Sequence, residues 1–92
     1  MNKIAELLSL PGTVVIDVRT PQEFNAGHFT KSINIPLNEL SGHLEELKQA
    51  ANIILCCASG MRSQKASMLL SQHYINCLDG GSWSNLTKFS SN

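Results

Sequence analysis

"TVVIDVRTPQEFNAG", residues 13–27, sets a buried strand directly against a helix, and that succession decides the fold. Residues 13–18, "TVVIDV", are β-branched and nearly continuous in apolar character, the pattern of a strand covered on both faces in a parallel sheet. The run closes in charge, at Asp17 and Arg19. Thr20, Pro21 and Glu23 then supply an N-cap, a first-turn proline and the third-position acid of a capping box, so a short helix is expected as far as Gly27.

Working outward, "KIAELL" at 3–8 spaces Ile4, Leu7 and Leu8 as one helical face, and "LPG" at 10–12 ends it in a turn. Downstream, "SINIP" predicts a brief strand. Leu37, Leu40, Leu44 and Leu47 then recur at helical steps, predicting a surface helix to about Ala50, broken near Ser41 and Gly42. "NIILC" at 52–56 predicts a second buried strand, 63–74 a helix, and "INCL" at 75–78 a last strand before a turn at Asp79-Gly80-Gly81. The Ser/Asn-rich end "FSSN" is expected to fray. Strands alternating with helices imply parallel crossovers and an α/β fold.

The chain of 92 residues suits a single domain over 1–92, because a chain this size buries only about 60–65% of its unfolded surface. With 42% hydrophobic residues, and seven Lys plus Arg against seven Asp plus Glu, nothing in the charge recommends nucleic acid or an anionic membrane. No segment approaches the roughly 18 apolar residues of a membrane span. Three cysteines, Cys56, Cys57 and Cys77, are too few for a disulfide framework, which favours a reducing, cytoplasmic setting. His28, His43 and His73 are scattered singly and no CxxC occurs, so neither a metal nor another cofactor is expected.

Chemistry concentrates after the second buried strand. Cys57 falls at the carboxyl edge of the sheet, where open α/β sheets bind ligands. The turn "ASGMRS" offers successive backbone N–H groups from Ala58, Ser59, Gly60, Met61 and Arg62, Gly60 permits a positive φ, and a helix is expected to begin near Ser63 with its positive end toward the loop. Such a cup favours a thiolate at Cys57, and Arg62 adds a permanent charge. Cys56, inside the strand pattern, reads as small apolar filling.

Residues 57–63, "CASGMRS", resemble the active-site loop of rhodanese-type sulfurtransferases, Cys-x-x-Gly-x-Arg-Ser. "VVIDVRTPQEFNAGHFTKSINIP" at 14–36 is similar to the family's upstream signature, and "LDGGSW" at 78–83 to its closing Gly-Gly segment. The resemblance implies a three-layer fold with a central, mostly parallel sheet of four or five strands flanked by helices. It also implies a cysteine that accepts sulfane sulfur from a small anionic donor such as thiosulfate and passes it to cyanide or a thiol. A protein persulfide is a further candidate partner. In that scheme Cys57 is catalytic and the residues from Ala58 to Arg62 bind substrate.

The register of the doublet separates this chemistry from its nearest alternative. Counting from Cys56 gives Cys-x5-Arg, the spacing of Cys-based phosphatases, whereas counting from Cys57 puts Gly60 where the sulfurtransferase loop has it. Phosphatase or arsenate reductase activity on the same fold is the alternative reading, and a non-catalytic binding module is the other class. Arg62 could instead pair with an acid such as Asp17. Ser63 reads as the cap of the following helix, and Asp17, Arg19, Glu23 and His28 as an ion-pair and hydrogen-bond lattice supporting the turns. Trp83 and Phe24 read as packing, and Cys77 as a strand cysteine.

Overall fold

The computed structural model describes residues 3–89. Four strands form one parallel sheet in the order β2-β1-β3-β4, where β1 is Thr13–Asp17, β2 Ser32–Asn34, β3 Asn52–Cys57 and β4 Leu78–Ser82. Among the described residues there is no fifth strand, and helix α1, Lys3–Leu8, precedes β1. The remaining helices are α2 at Pro21–Ala26, α3 at Leu44–Lys48, α4 at Met61–Gln72 and α5 at Ser84–Thr87.

The two continuous apolar runs, β1 and β3, lie side by side at the centre, with Val15 opposite Ile54 and Ile16 opposite Leu55. Side chains alternate across a strand, so each central strand feeds two cores. Val15, Ile54 and Cys56 pack with Phe29 and Leu86 on one face, beside Ile4, Leu7 and Leu8 of α1. Ile16, Val18, Ile53, Leu55 and Cys57 pack with Leu40, Leu47, Ala66 and Leu70 on the other. The adjacent cysteines therefore face opposite sides of the sheet. This three-layer arrangement is the expected α/β fold, with a sheet that is parallel throughout.

One expected element is refined and two are corrected. The segment from Leu37 to Ala50 is a 3-10 helix over Leu37–His43 followed by α3, since Ser41-Gly42 has too little helix preference to hold the regular winding. Strand β4 is Leu78–Ser82 and not 75–78, so Gly80-Gly81 lies inside the strand. A Cβ on Gly80 would sit 2.9 Å from the Leu55 carbonyl oxygen and 3.0 Å from Ile54 Cγ2, which explains a glycine there: the neighbouring strand passes too close for any side chain. Helix α4 begins at Met61, two residues before the expected start. The "FSSN" end lies outside the described residues apart from Phe89.

The crossovers leave the sheet in opposite directions, β1 connecting outward to β2 and β3 outward to β4. The carboxyl ends of β1 and β3 thus flank the point where the strand order reverses, the crevice in which such sheets bind ligands. Helix α2 follows β1 at that point, and α4 follows β3.

Candidate active site

The capping box expected at α2 is present. The Glu23 N–H donates to Thr20 Oγ1 at 3.2 Å and the Thr20 N–H to Glu23 Oε1 at 3.0 Å. Beneath the helix, Arg19 is folded back on Asp17, its Nε 2.9 Å from Oδ1 and its Nη2 2.7 Å from Oδ2, with both residues buried. Arg19 also donates to the Gly27 carbonyl at 2.7 Å and lies 4.8 Å from the centre of the Trp83 ring. Asp17 therefore belongs to Arg19 and leaves no carboxylate for Arg62.

Arg62 is paired instead with Glu23, in a two-pronged contact of 2.7 and 2.9 Å that joins α4 to α2 across the crevice. A buried pair and a surface pair are thus joined where Arg19 Nη1 donates to the Glu23 carbonyl at 3.4 Å. His28 stands apart from both, exposed, with its ring stacked 3.8 Å from that of Phe24 and its Nδ1 2.9 Å from the Phe24 carbonyl.

Cys57 is the last residue of β3 and is fully buried, not at the open rim. Its carbonyl accepts the Trp83 N–H at 2.7 Å, which ties the end of the strand to the start of α5. Its Sγ accepts the Gly60 N–H at 3.0 Å and the Ser63 N–H at 3.2 Å. The second bond corrects the role expected of Ser63. Gly60, at φ 103° and ψ −14°, occupies the N-cap position of α4 with no side chain to offer, and the orphan N–H of the first turn is satisfied by the upstream sulfur. Cysteine 57 caps the helix; Ser63 is its third residue.

The Ser63 hydroxyl stands 2.7 Å from Asp79 Oδ1 and 3.1 Å from the Gly60 carbonyl. The hydroxyl carries one hydrogen and can turn it to the sulfur only by giving up the carboxylate. Burial pushes the Cys57 thiol up, but the Ser63 hydroxyl and the N–H groups of Ser63, Gly60 and Arg62 outweigh it and hold the thiol below its ordinary value. Cys56 shows the opposite balance. Burial first, and then the charge of Asp17, push its thiol up to about 12, which keeps it protonated and inert. Burial likewise raises Cys77, whose thiol lies 3.7 Å from Ser67 Oγ.

Ala58, Ser59 and Met61 are exposed around the loop. Asp79 is the site residue that the sequence reading passed over. It fixes Ser63 and accepts the Gly81 N–H at 3.0 Å, and the signal was an Asp two residues before a glycine that takes positive φ, here 73°. Beside Arg62 opens a cleft of about 340 Å³ lined by Val18, Thr20, Pro36, Leu37 and Asn38. Among the described residues no group of His, Cys, Asp or Glu is placed to hold a metal ion, and no helix is long and apolar enough to cross a membrane.

A buried cysteine whose sulfur accepts the Gly60 and Ser63 N–H groups can hold negative charge on that sulfur. Known proteins carry the same frame. The profile of the rhodanese-like domain matches residues 1–85. The thiosulfate sulfurtransferase GlpE of Tolumonas auensis is 30% identical over 84 residues, covering 88% of this chain and 79% of that one. The tRNA uridine(34) hydroxylase of Pelagibacter ubique is 35% identical over 72 residues, covering 75% of this chain and 24% of that one. The chain spans less than two thirds of the length of several curated relatives it matches. Among solved structures, a rhodanese-related protein of Thermoplasma volcanium superposes with a TM-score of 0.74 at 32% identity, covering 92% of this chain and 86% of that one. Fold, loop and sequence agree, and the chain belongs to the rhodanese-like domain family.

Proposed function

We propose that this chain is a rhodanese-type sulfurtransferase that carries sulfane sulfur as a persulfide on Cys57. The observation that supports this reading most directly is the convergence of the Gly60 and Ser63 N–H groups on Cys57 Sγ, at 3.0 and 3.2 Å. In the first half-reaction the thiolate attacks the outer sulfur of thiosulfate. A new S–S bond forms, the old one breaks, and its electron pair leaves with sulfite. In the second, cyanide or a thiolate attacks the outer sulfur of the persulfide, and the electron pair of the broken bond returns to Cys57 as thiolate. This is covalent, ping-pong catalysis.

Negative charge sits on sulfur in every state of the cycle: on Sγ before loading, on the outer sulfur after it. The loop amides are fixed before the reaction, so they stabilise each state without reorganising. A thiol already held low in this way requires no general base to lose its proton. The backbone from Ala58 to Arg62 binds the donor in this scheme, sulfane-sulfur compounds small enough to enter the loop are the substrates, and Cys56 and Cys77 take no part.

Intact-mass spectrometry after exposure to thiosulfate, and separately to cysteine persulfide, tests the assignment. One added sulfur is expected on the parent protein and on Cys56→Ser, and none on Cys57→Ser. Added mass that never appears, or that follows Cys56, removes the mechanism. A phosphate-ester assay on the same samples is expected to show no turnover; hydrolysis that depends on Cys57 and Arg62 would instead place the chain with the phosphatases.

A further inference from the structure

The cation that the loop contributes is already occupied. Arg62 is the one charged residue between Cys57 and Ser63, and both of its terminal nitrogens are taken by the two carboxylate oxygens of Glu23, at 2.7 and 2.9 Å. A second carboxylate, Asp79, lies one hydrogen bond away through Ser63, whose own N–H reaches the sulfur. An anion approaching Cys57 thus finds aligned N–H dipoles but no uncompensated positive side chain on the loop. The cleft that shares Arg62 is lined by Val18, Pro36 and Leu37 with Thr20 and Asn38, a surface suited to carbon as much as to charge.

We propose, building on the sulfurtransferase reading, that Glu23 sets the charge preference of the Cys57 site by clamping Arg62, so that sulfane sulfur carried on an organic thiol is preferred over dianionic thiosulfate. Glu23 is a specificity-determining residue and does not touch the reacting atoms. The clamp is durable across the working pH range. The hydrogen bonds from Arg62, helped by those from Thr20, hold the Glu23 carboxyl down at about 2. It is also cheaply reversible, because both side chains are about a third exposed and water can replace either partner.

Glu23→Gln is the informative variant. Glutamine preserves the side-chain oxygen that completes the Thr20 capping box, so α2 keeps its start while the negative charge is removed. The readout is the rate at which Cys57 is alkylated by iodoacetate, an anion, relative to iodoacetamide, its neutral analogue. Removing one charge near the site is expected to raise that ratio about threefold, and to raise the loading rate from the dianion thiosulfate about tenfold, roughly the square of the monoanion effect. Loading from cysteine persulfide, which carries at most one net negative charge, should change by no more than about threefold. The gain should shrink with added salt. Glu45→Gln, which removes a distant carboxylate paired with Lys48, serves as the control and is expected to leave the ratio unchanged.

A ratio that stays constant or falls in Glu23→Gln, or an equal rise in Glu45→Gln, overturns the role given to Glu23. Equal gains for thiosulfate and cysteine persulfide overturn the donor preference. Failure of every donor to load Cys57 defeats the sulfurtransferase reading and the donor preference with it, while the alkylation ratio still decides whether Glu23 governs charge at the site.

Discussion

Replacing Gly60 by alanine isolates what the loop backbone does for Cys57. The residue lies at φ 103°, ψ −14°, and a Cβ there would meet nothing nearer than Gly81 Cα at 3.9 Å, which is ordinary contact. No clash is added, so the whole cost is conformational. Holding a non-glycine residue in such a region costs about 1–3 kcal/mol. The protein can absorb that cost in two ways. If the loop keeps its shape, the strain appears as lost stability, and with an m-value of about 1 kcal/mol/M in urea the midpoint falls by about 1–3 M.

If the loop instead relaxes to negative φ, the Gly60 N–H swings away from Sγ. A hydrogen bond to a charged group contributes about 1.5–3 kcal/mol, and one pKa unit corresponds to about 1.4 kcal/mol, so the thiol would rise by about 1–2 units. Urea unfolding reads the first quantity and the pH dependence of iodoacetamide alkylation reads the second. Their sum is expected to be about 1–3 kcal/mol. Should neither the unfolding midpoint nor the alkylation pKa move, the positive φ and its N–H would have no part in holding the thiolate.

Further predictions concern the scaffold. Asp17→Asn removes the counter-charge of buried Arg19 and is expected to cost about 3–5 kcal/mol in urea unfolding; a loss under about 1 kcal/mol would show that water reaches the guanidinium. Gly80→Ala forces a Cβ against the Leu55 carbonyl and is expected to cost about 1–3 kcal/mol and to slow Cys57 alkylation through Asp79 and Ser63, with unchanged stability as the contrary result. Stability should also vary with pH through both cysteines. The lowered Cys57 value means that the folded chain sheds a proton the unfolded chain keeps, so its contribution is complete above the ordinary thiol value and is lost as pH falls through the lowered one. Cys56, raised to about 12, contributes below the ordinary value and loses that contribution as pH climbs toward 12. Cys57→Ser should flatten the first slope and Cys56→Ser the second; parallel profiles in denaturant titrations across pH would contradict both.

What the sequence made legible was whatever depends on near neighbours. The centre of the sheet was readable because Val15, Ile16, Ile54 and Leu55 are covered on both faces and must be apolar. The α2 capping box was readable because its partners are three residues apart. Strand β4 was missed because Gly80-Gly81 has the composition of a turn, and only the approach of Leu55 from another strand makes glycine necessary in a ladder. The partner of Arg62 was missed for a related reason. Asp17 and Glu23 are equally acidic in sequence, and the choice between them is made by Arg19, which consumes Asp17 inside the protein. Ser63 was given a cap's role on residue type alone, whereas the bond geometry hands that role to a sulfur six positions upstream. Its fixed partner, Asp79, lies on strand β4, 16 residues further along the chain.

The complete burial of Cys57 sets the same limit of access on both halves of the proposed cycle. A donor must deliver a single sulfur down to a thiolate with no exposed surface, so bulk near the transferred atom is penalised before any bond forms. Once loaded, the outer sulfur stands about 2 Å beyond Sγ, the length of the new bond. The strand below cannot yield, because the Cys57 carbonyl is fastened to Trp83 and its side chain faces a packed core. Room for the extra atom must therefore come from the loop between Cys57 and Ser63. A persulfide giving up its sulfur and a thiolate taking it back pass through one transition state in opposite directions, so bulk near the transferred atom handicaps donor and acceptor alike.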